Sequence, residues 1–105
     1  MAKLYRYKEL SATLFGATYC IEWGMEIVEP ENGKDFSLKE LQGFVGGHIE
    51  IVPLTKDRLM VVNEEGKLKG LPLNLVATEI YNNESFCATD TIVGNALVCK
   101  RSEVK

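Results

Sequence analysis

The pattern of polar and apolar residues in the middle of the chain predicts a well-marked helix over residues 37–45. Ser37 stands where its side chain would accept a hydrogen bond from the first turn, and Glu40 follows it at the capping-box spacing. Phe36 and Leu41 have the spacing of a hydrophobic staple across the same helix end. The helix is therefore expected to begin at a defined cap and to bury one apolar side, formed by Leu38, Leu41, Phe44 and Val45.

A β-hairpin is expected after this helix, which Gly46 would close in the left-handed conformation. Residues 48–51 (His-Ile-Glu-Ile) alternate polar and apolar side chains, as a strand with one buried face does, which makes Ile49 and Ile51 candidate core residues. After a short polar connection, residues 59–62 are apolar on both faces. Such a strand belongs inside a sheet or beneath a helix.

A second amphipathic helix is predicted over residues 73–82, because its apolar positions recur at the spacing i, i+3, i+4, i+7 and i+8. Residues 91–100 indicate a final strand, in which Gly94 marks either a bulge or the close approach of another backbone. The apolar positions of the helix are Leu73, Val76, Ala77, Ile80 and Tyr81.

The N-terminal quarter has a weaker pattern. For its second half we expect a hairpin in which residues 19–23 pair with residues 25–29 around Trp23-Gly24. For its first half, a short helix and irregular structure fit equally well, on the spacing of Leu4, Tyr7, Ser11 and Leu14. Two short helices (37–45 and 73–82) and mostly antiparallel strands predict an α+β fold, with the helices packed on the sheet of one small domain.

Composition adds that the protein is an ordinary globular one. Of its 105 residues, 46% are hydrophobic and 26% are charged, which suits a single soluble domain. The longest uninterrupted apolar run, residues 59–62, is far shorter than the ~20 residues that cross a bilayer. The three cysteines lack metal-binding or disulfide spacing, so we interpret Cys20, Cys87 and Cys99 as buried free thiols in a reducing cytoplasm.

The net charge is −3, and most of the negative charge falls between residues 22 and 50. Seven acidic residues stand there against Lys34 and Lys39. Because phosphate contacts need clustered basic side chains, this distribution argues against a nucleic-acid-binding protein. The segment is either a solvated surface, which we favour, or an acidic docking patch.

No spacing in the chain identifies an enzyme, a metal site or a cofactor. His48 is the only histidine, and although it could form an acid–base pair with Glu50, a structural histidine is the favoured interpretation. The loop carboxylates Asp57, Glu64 and Glu65 lack the alternating spacing of a calcium site. We therefore expect neither catalysis nor a bound metal or cofactor.

The candidate contact residues are amides, carboxylates and aromatic rings. Asn63 and Asn74 each end an apolar segment, where an amide either fixes turn backbone, the favoured interpretation, or binds the edge of a ligand. Large rings with a polar tip suit interfaces. The residues proposed to bind a ligand or partner are Asn63, Glu64, Glu65, Asn74, His48, Glu50, Trp23, Tyr5 and Tyr7.

Three segments together resemble a known family: VEPENGKDFSLKELQGFVGGHIEIVPL, then NEEGKLKGLPLN with Ala77, and last DTIVGNALV. They are similar to a widespread domain family of unknown function found in phages, prophages and conjugative elements. The resemblance spans roughly residues 26–100 and implies a mobile-element source without implying a reaction. Residues 1–25 look longer than the usual first strand of the family, which predicts an N-terminal extension (1–25) packed on a family-like domain (26–105).

These observations lead to two hypotheses for a cytoplasmic, non-catalytic binding protein. In the first, it binds and blocks a host defence protein, with the acidic segment and the N-terminal aromatic residues as the contact surface. In the second, it sequesters a small nucleotide signal in a pocket at a homo-oligomer interface, and a homodimer is the assembly considered. Neither hypothesis involves a membrane.

Overall fold

The computed structural model describes residues 2–10, 20–84 and 91–104, with the side chains of residues 8–10 and 20–22 left aside. These residues form one five-stranded antiparallel sheet of order β2-β1-β5-β4-β3. The strands are β1 (Ala2–Leu10), β2 (Cys20–Val28), β3 (Ile49–Pro53), β4 (Arg58–Asn63) and β5 (Ala96–Lys100), and the helices are α1 (Leu38–Val45) and α2 (Leu75–Glu84). The predicted α+β class is confirmed.

Helix α1 begins and ends as predicted. The Ser37 hydroxyl accepts a hydrogen bond from the Glu40 N–H at 3.2 Å, and the Ser37 N–H donates to the Glu40 carboxylate at 2.9 Å. Gly46 closes the helix with φ of 78°. Phe36 and Leu41 are both buried, as the staple spacing predicts, whereas Leu38 is exposed and does not belong to the core.

The β3–β4 hairpin is also confirmed. Strand β4 lies between β3 and β5 and is buried on both faces along most of its length. Strand β3 is an outer strand, and this position explains one wrong prediction. Ile49 packs against the core, but Ile51 is 47% exposed because it lies toward the open edge.

Helix α2 and the last strand are shifted from their predicted limits. The helix starts at Leu75 instead of residue 73, and β5 begins only at Ala96. The prediction of a close backbone approach at Gly94 is confirmed, because its N–H donates to the Pro72 carbonyl at 2.7 Å. Gly94 has φ of 76°, and a Cβ there would lie 2.8 Å from Leu71 Cδ1, so a side chain would be both strained and crowded.

Both interpretations of the N-terminal quarter are wrong within the described residues. Strand β2 runs straight through Trp23-Gly24 and pairs with β1 along its whole length. Residues 2–10 form a strand instead of a helix because they pair on both sides, with β2 and with β5; Ser11 and Leu14 lie outside the described residues. The predicted boundary after residue 25 falls inside β2, and the division into extension and domain stays a prediction.

The sheet has two faces, which we name after the helix that packs on each. The core of the α1 face comprises Ala2, Leu4, Phe36, Leu41, Val45, Leu59, Val61, Leu97 and Cys99. The core of the α2 face comprises Leu54, Met60, Val62, Ala77, Ile92, Ala96 and Val98. Among the described residues, neither helix has the length and apolar character needed to span a bilayer.

Cys99 is a buried free thiol, as predicted for it. Burial, followed by the negative charge of Glu103, raises its pKa to about 12. A thiol with so high a pKa remains protonated at neutral pH and is a poor nucleophile. Cys87 and the side chain of Cys20 lie outside the described part of the chain.

Candidate functional site

The α2 face carries a group of large side chains, half-buried or exposed, at the β1–β2 end of the sheet. We call this group the aromatic platform; it comprises Tyr5, Tyr7, Trp23, Met25 and Ile27. The register pairs Tyr5 with Met25 and Tyr7 with Trp23, so these side chains emerge on the same face. The rings of Tyr7 and Trp23 lie 5.3 Å apart between centroids, tilted by 59°. Met25 is 50% exposed and Ile27 is 54% exposed.

A shallow apolar hollow lies between the platform and helix α2. It has a volume of about 280 Å³ and is lined by Tyr5, Trp23, Gly24, Met25 and Val76. Val76 belongs to the predicted apolar side of α2 yet remains 46% exposed, because it faces this hollow and not the closed core. The platform and Val76 together form a concave apolar surface open to solvent.

Hydrogen bonds hold the platform's inner strand in place. The Tyr7 N–H donates to Asn95 Oδ1 at 3.0 Å, and Asn95 Nδ2 donates to the Phe44 carbonyl at 3.0 Å. Asn95 thus ties β1 to the end of α1. This link fixes the strand while leaving the Tyr7 ring on the open face.

Three of the residues proposed from the sequence, Tyr5, Tyr7 and Trp23, come together on this platform. Sequence reasoning missed Met25, Ile27 and Val76. A signal for the first two was present, since Trp23, Met25 and Ile27 are apolar at every second position and Glu26 interrupts them. The turn expected at Gly24 conflicts with this two-residue period, which belongs to one continuous strand.

A second, more polar cleft of about 200 Å³ lies on the α2 face at the opposite end of the sheet. It gathers three of the proposed residues, Glu50, Asn63 and Glu64, together with Lys67 and the side chain of Tyr81. Its apolar lining comes from β3, β4, the turn after β4 and the segment before β5. Two carboxylates against one lysine give this cleft an acidic character.

Asn63, which lines the polar cleft, is held in position by hydrogen bonds to the backbone. Its side chain is buried; Nδ2 donates to the Val45 carbonyl at 3.0 Å and Oδ1 accepts from the Glu65 N–H at 2.8 Å. One amide thus satisfies the end of α1 and fixes the turn after β4. These bonds confirm the turn-fixing interpretation, and a ligand contact by Asn63 stays a prediction.

Asn74 has a comparable structural role at the start of α2. Its Oδ1 accepts from the Ala77 N–H at 3.0 Å, the arrangement of a helix N-cap, and its Nδ2 donates to the Gly94 carbonyl at 2.9 Å. The residue is 1% exposed. Asn74 therefore joins α2 to the segment that leads into β5, and it is not among the residues that line the polar cleft.

The remaining proposed residues lie around the β3 edge. His48 and Glu50 are exposed, and the His48 carbonyl accepts from the Glu64 N–H at 2.9 Å. Glu65 is half-buried in the following turn. Within the described ranges, 2–10, 20–84 and 91–104, no group of three or more His, Cys, Asp or Glu side chains could hold a metal ion.

The acidic segment is not one surface with the platform. Glu26 lies on the α1 face, where it pairs with Arg6 at 2.9 Å. Glu40 accepts hydrogen bonds from the Ser37 backbone and from the Glu31 N–H, and these bonds lower the pKa of its carboxyl. Both carboxylates are therefore used in local structure on the far side of the sheet or around α1.

Comparison with known proteins gives one family. The sequence profile of a domain of unknown function, DUF3846, matches residues 20–104, and the chain belongs to this family. The match begins with β2 and continues through the last described turn, so it covers most of the fold. It indicates no catalytic family. No curated protein and no solved structure matches the chain.

Proposed function

We propose that this member of the DUF3846 family is a non-catalytic accessory protein that binds and blocks a host defence protein through the aromatic platform. The observation that carries the proposal is the exposure of Met25 and Ile27 beside the half-buried rings of Tyr7 and Trp23. Its phage or mobile-element source and its host partner are parts of the proposal that rest on the family resemblance, and its cytoplasmic location is a part that rests on the interpretation of its cysteines as free thiols.

The chemistry of the platform suits a protein partner. Aromatic and methionine side chains are enriched at the centre of protein interfaces, and clustered exposed apolar side chains mark such sites. Trp and Tyr present large rigid areas that lose little conformational freedom on binding. The hollow beside Val76 offers a pocket for one apolar side chain of the partner.

The experiment is a pull-down from host lysate with matched variants, followed by affinity measurement on the captured protein. Trp23→Ala and Ile27→Ala should lose the partner, with Trp23→Ala weakening Kd by at least ~30-fold, as expected for a central contact. Ile51→Ala is the matched control, since Ile51 is exposed to a similar degree on the opposite face and edge.

The proposal would be wrong if the lysate yields no stoichiometric partner. Equal binding by the wild type, Trp23→Ala and Ile27→Ala would also overturn it, because the partner would then use another surface. Circular dichroism of each variant separates loss of binding from loss of folding.

A second candidate function, sequestration of a small nucleotide signal, is favoured by the polar cleft. Tyr81 lines this cleft beside the polar groups of Glu50 and Asn63, which suits a base and a sugar. The acidic lining repels phosphate groups, so we rank this candidate below the first.

Cyclic and linear nucleotides at ~100 times a micromolar Kd should raise the Tm of the protein by several degrees. The shift should be lost in Tyr81→Ala, and absence of any shift in the wild type rejects the candidate.

A further inference from the structure

Among the described residues, no strand pairs with the outer side of β2. The Tyr7 N–H points toward β5, where it donates to Asn95, so the alternate residues Leu4 and Arg6 direct their main-chain groups toward β2. Their partners in the register are Glu26 and Gly24. The alternate residues of β2 therefore turn their N–H and C=O groups to the outer edge of the sheet, and these are Ile21, Trp23, Met25 and Ile27.

The two edges of the sheet differ in how they are protected. Strand β3 has five residues and ends at Pro53, and a short strand with proline is a common guard against unwanted pairing. Strand β2 has nine residues without proline or lysine. A long edge with apolar side chains on one face is a ready template for another strand.

We propose that the β2 edge pairs with the β2 edge of a second copy of this chain, antiparallel, about a two-fold axis at Met25. In an antiparallel pair, a residue with outward main-chain groups opposes another such residue, and a residue with inward groups opposes another inward one. The two-fold axis must therefore lie at a residue, so the symmetric pairings are few. Centring the axis on Gly24 would place Glu22 opposite Glu26, two like charges. Centring it on Trp23 would leave Ile27 unpaired. With the axis at Met25, the two Met25 residues face each other and Trp23 faces Ile27.

Charge complementarity also selects this pairing. Arg6 of β1 lies opposite Gly24 of β2. The Met25-centred pairing puts Glu26 of the second copy opposite Gly24 on its other side. A Cβ at Gly24 would meet nothing within 4 Å, so the space above it is open. An arginine reaches across the two strand spacings, about 10 Å, to a facing glutamate. Each copy's half-exposed Arg6 then lies in the same cross-strand row as Glu26 of the other copy, so opposite charges face each other across the interface.

The paired sheet would have ten strands, with the two aromatic platforms joined into one surface between two α2 helices. This dimer goes beyond the proposed function and does not depend on it. Trp23 and Ile27 would lie side by side across the interface while their outer surfaces stay available to a partner.

The first test is native mass spectrometry and light scattering of the full chain at about 100 μM, far above a micromolar Kd. The expected mass is twice 11.7 kDa. Met25→Pro removes an outward N–H that the single copy does not use, so it should give a folded monomer by circular dichroism. Met25→Leu, the control, should remain a dimer. A wild-type monomer at this concentration, or a dimeric Met25→Pro protein, overturns the proposal.

The second test fixes the register by disulfide formation in a Cys20→Ser, Cys87→Ser background. Met25→Cys should cross-link, because facing Cα atoms lie about 5.5 Å apart, within disulfide reach. Trp23→Cys should not, since its copies would be about 13 Å apart along the strands. Cross-linking by Trp23→Cys alone, or equally by both, would overturn the Met25-centred pairing. A monomeric protein that still loses its host partner on Trp23→Ala would reject the dimer and leave the proposed function standing.

Discussion

The two ends of the sheet differ in how far their side chains are buried. At the β3–β4–β5 end, helices pack on both faces, and the polar residues Asn63 and Asn74 are buried and hydrogen-bonded to backbone groups. At the β1–β2 end, neither described helix lies over the α2 face, which exposes the large apolar side chains of Met25 and Ile27. The comparison teaches that buried polarity here reflects folding, whereas exposed apolarity is the better guide to a binding surface.

The largest expected contrast is between Leu97 at the covered end and Met25 at the open end. Leu97→Ala should lower the free energy of unfolding by about 2–5 kcal/mol, because Leu97 is fully buried between β1 and β4 and its loss leaves a cavity. Met25→Ala should cost no more than ~0.5 kcal/mol, since Met25 is half exposed. Urea unfolding of both variants measures the contrast, and equal losses would contradict it.

The next effect tests whether Asn74 serves the fold. Asn74→Ala should cost about 2 kcal/mol, because it removes the cap of α2 and leaves the Gly94 carbonyl without its donor. Asn74→Ser keeps a capping oxygen and should recover part of the loss. Urea midpoints at constant slope give the values, and an Asn74→Ala protein as stable as the wild type would show that the amide has another purpose.

A smaller effect is expected within the platform. A double-mutant cycle with Tyr7→Ala and Trp23→Ala should give a coupling of about 0.5–1.5 kcal/mol, the range for a tilted aromatic pair in contact. The single variants should remain folded, because neither Tyr7 nor Trp23 belongs to either core. Additive losses would mean that the two rings pack independently.

The smallest effect concerns the cap of α1. The pKa of Glu40 lies below its usual 4.5 because the Ser37 and Glu31 backbone groups donate hydrogen bonds to it. Its carboxylate therefore stabilises the folded state above pH 4.5, and this contribution disappears as the pH falls through the lowered pKa. Wild type should exceed Glu40→Gln in Tm at pH 7, with the difference shrinking in acid. Glu79→Gln, an exposed carboxyl on α2, controls for the loss of one charge; a difference that is independent of pH would contradict the prediction.

The parts of the fold that were predictable depend on neighbours in the chain. Ser37, Glu40 and Gly46 define α1 because capping acts within a few residues. The strand at residues 48–51 followed from its two-residue period, but the exposure of Ile51 did not, since that depends on β3 lying at an edge. The turn expected at Trp23-Gly24 was wrong for a related reason: β2 is held straight by pairing with the preceding strand β1, and the two-residue period of residues 23–27 does not specify that partner.

The candidate site shows the same limit: the sequence predicted some of its residues but not the long-range contacts that place them. The sequence named Tyr5, Tyr7 and Trp23, but as separate aromatic residues, and only the register of β1 with β2 places Tyr7 beside Trp23. It also named Asn63 and Asn74, whose backbone acceptors at Val45 and Gly94 lie 18 and 20 residues away. A long-range hydrogen bond of this kind has no local signal.

The sequence by itself determined the α+β class, the ends of α1 and the hairpin, because caps and strand periods act over short distances. The tertiary structure alone decided which strands lie at the edges, which face α2 leaves open and which polar groups are used up inside the fold. These features depend on pairing between distant segments, whose register no local pattern specifies. The aromatic platform exists because β1 and β2 extend beyond the reach of α2.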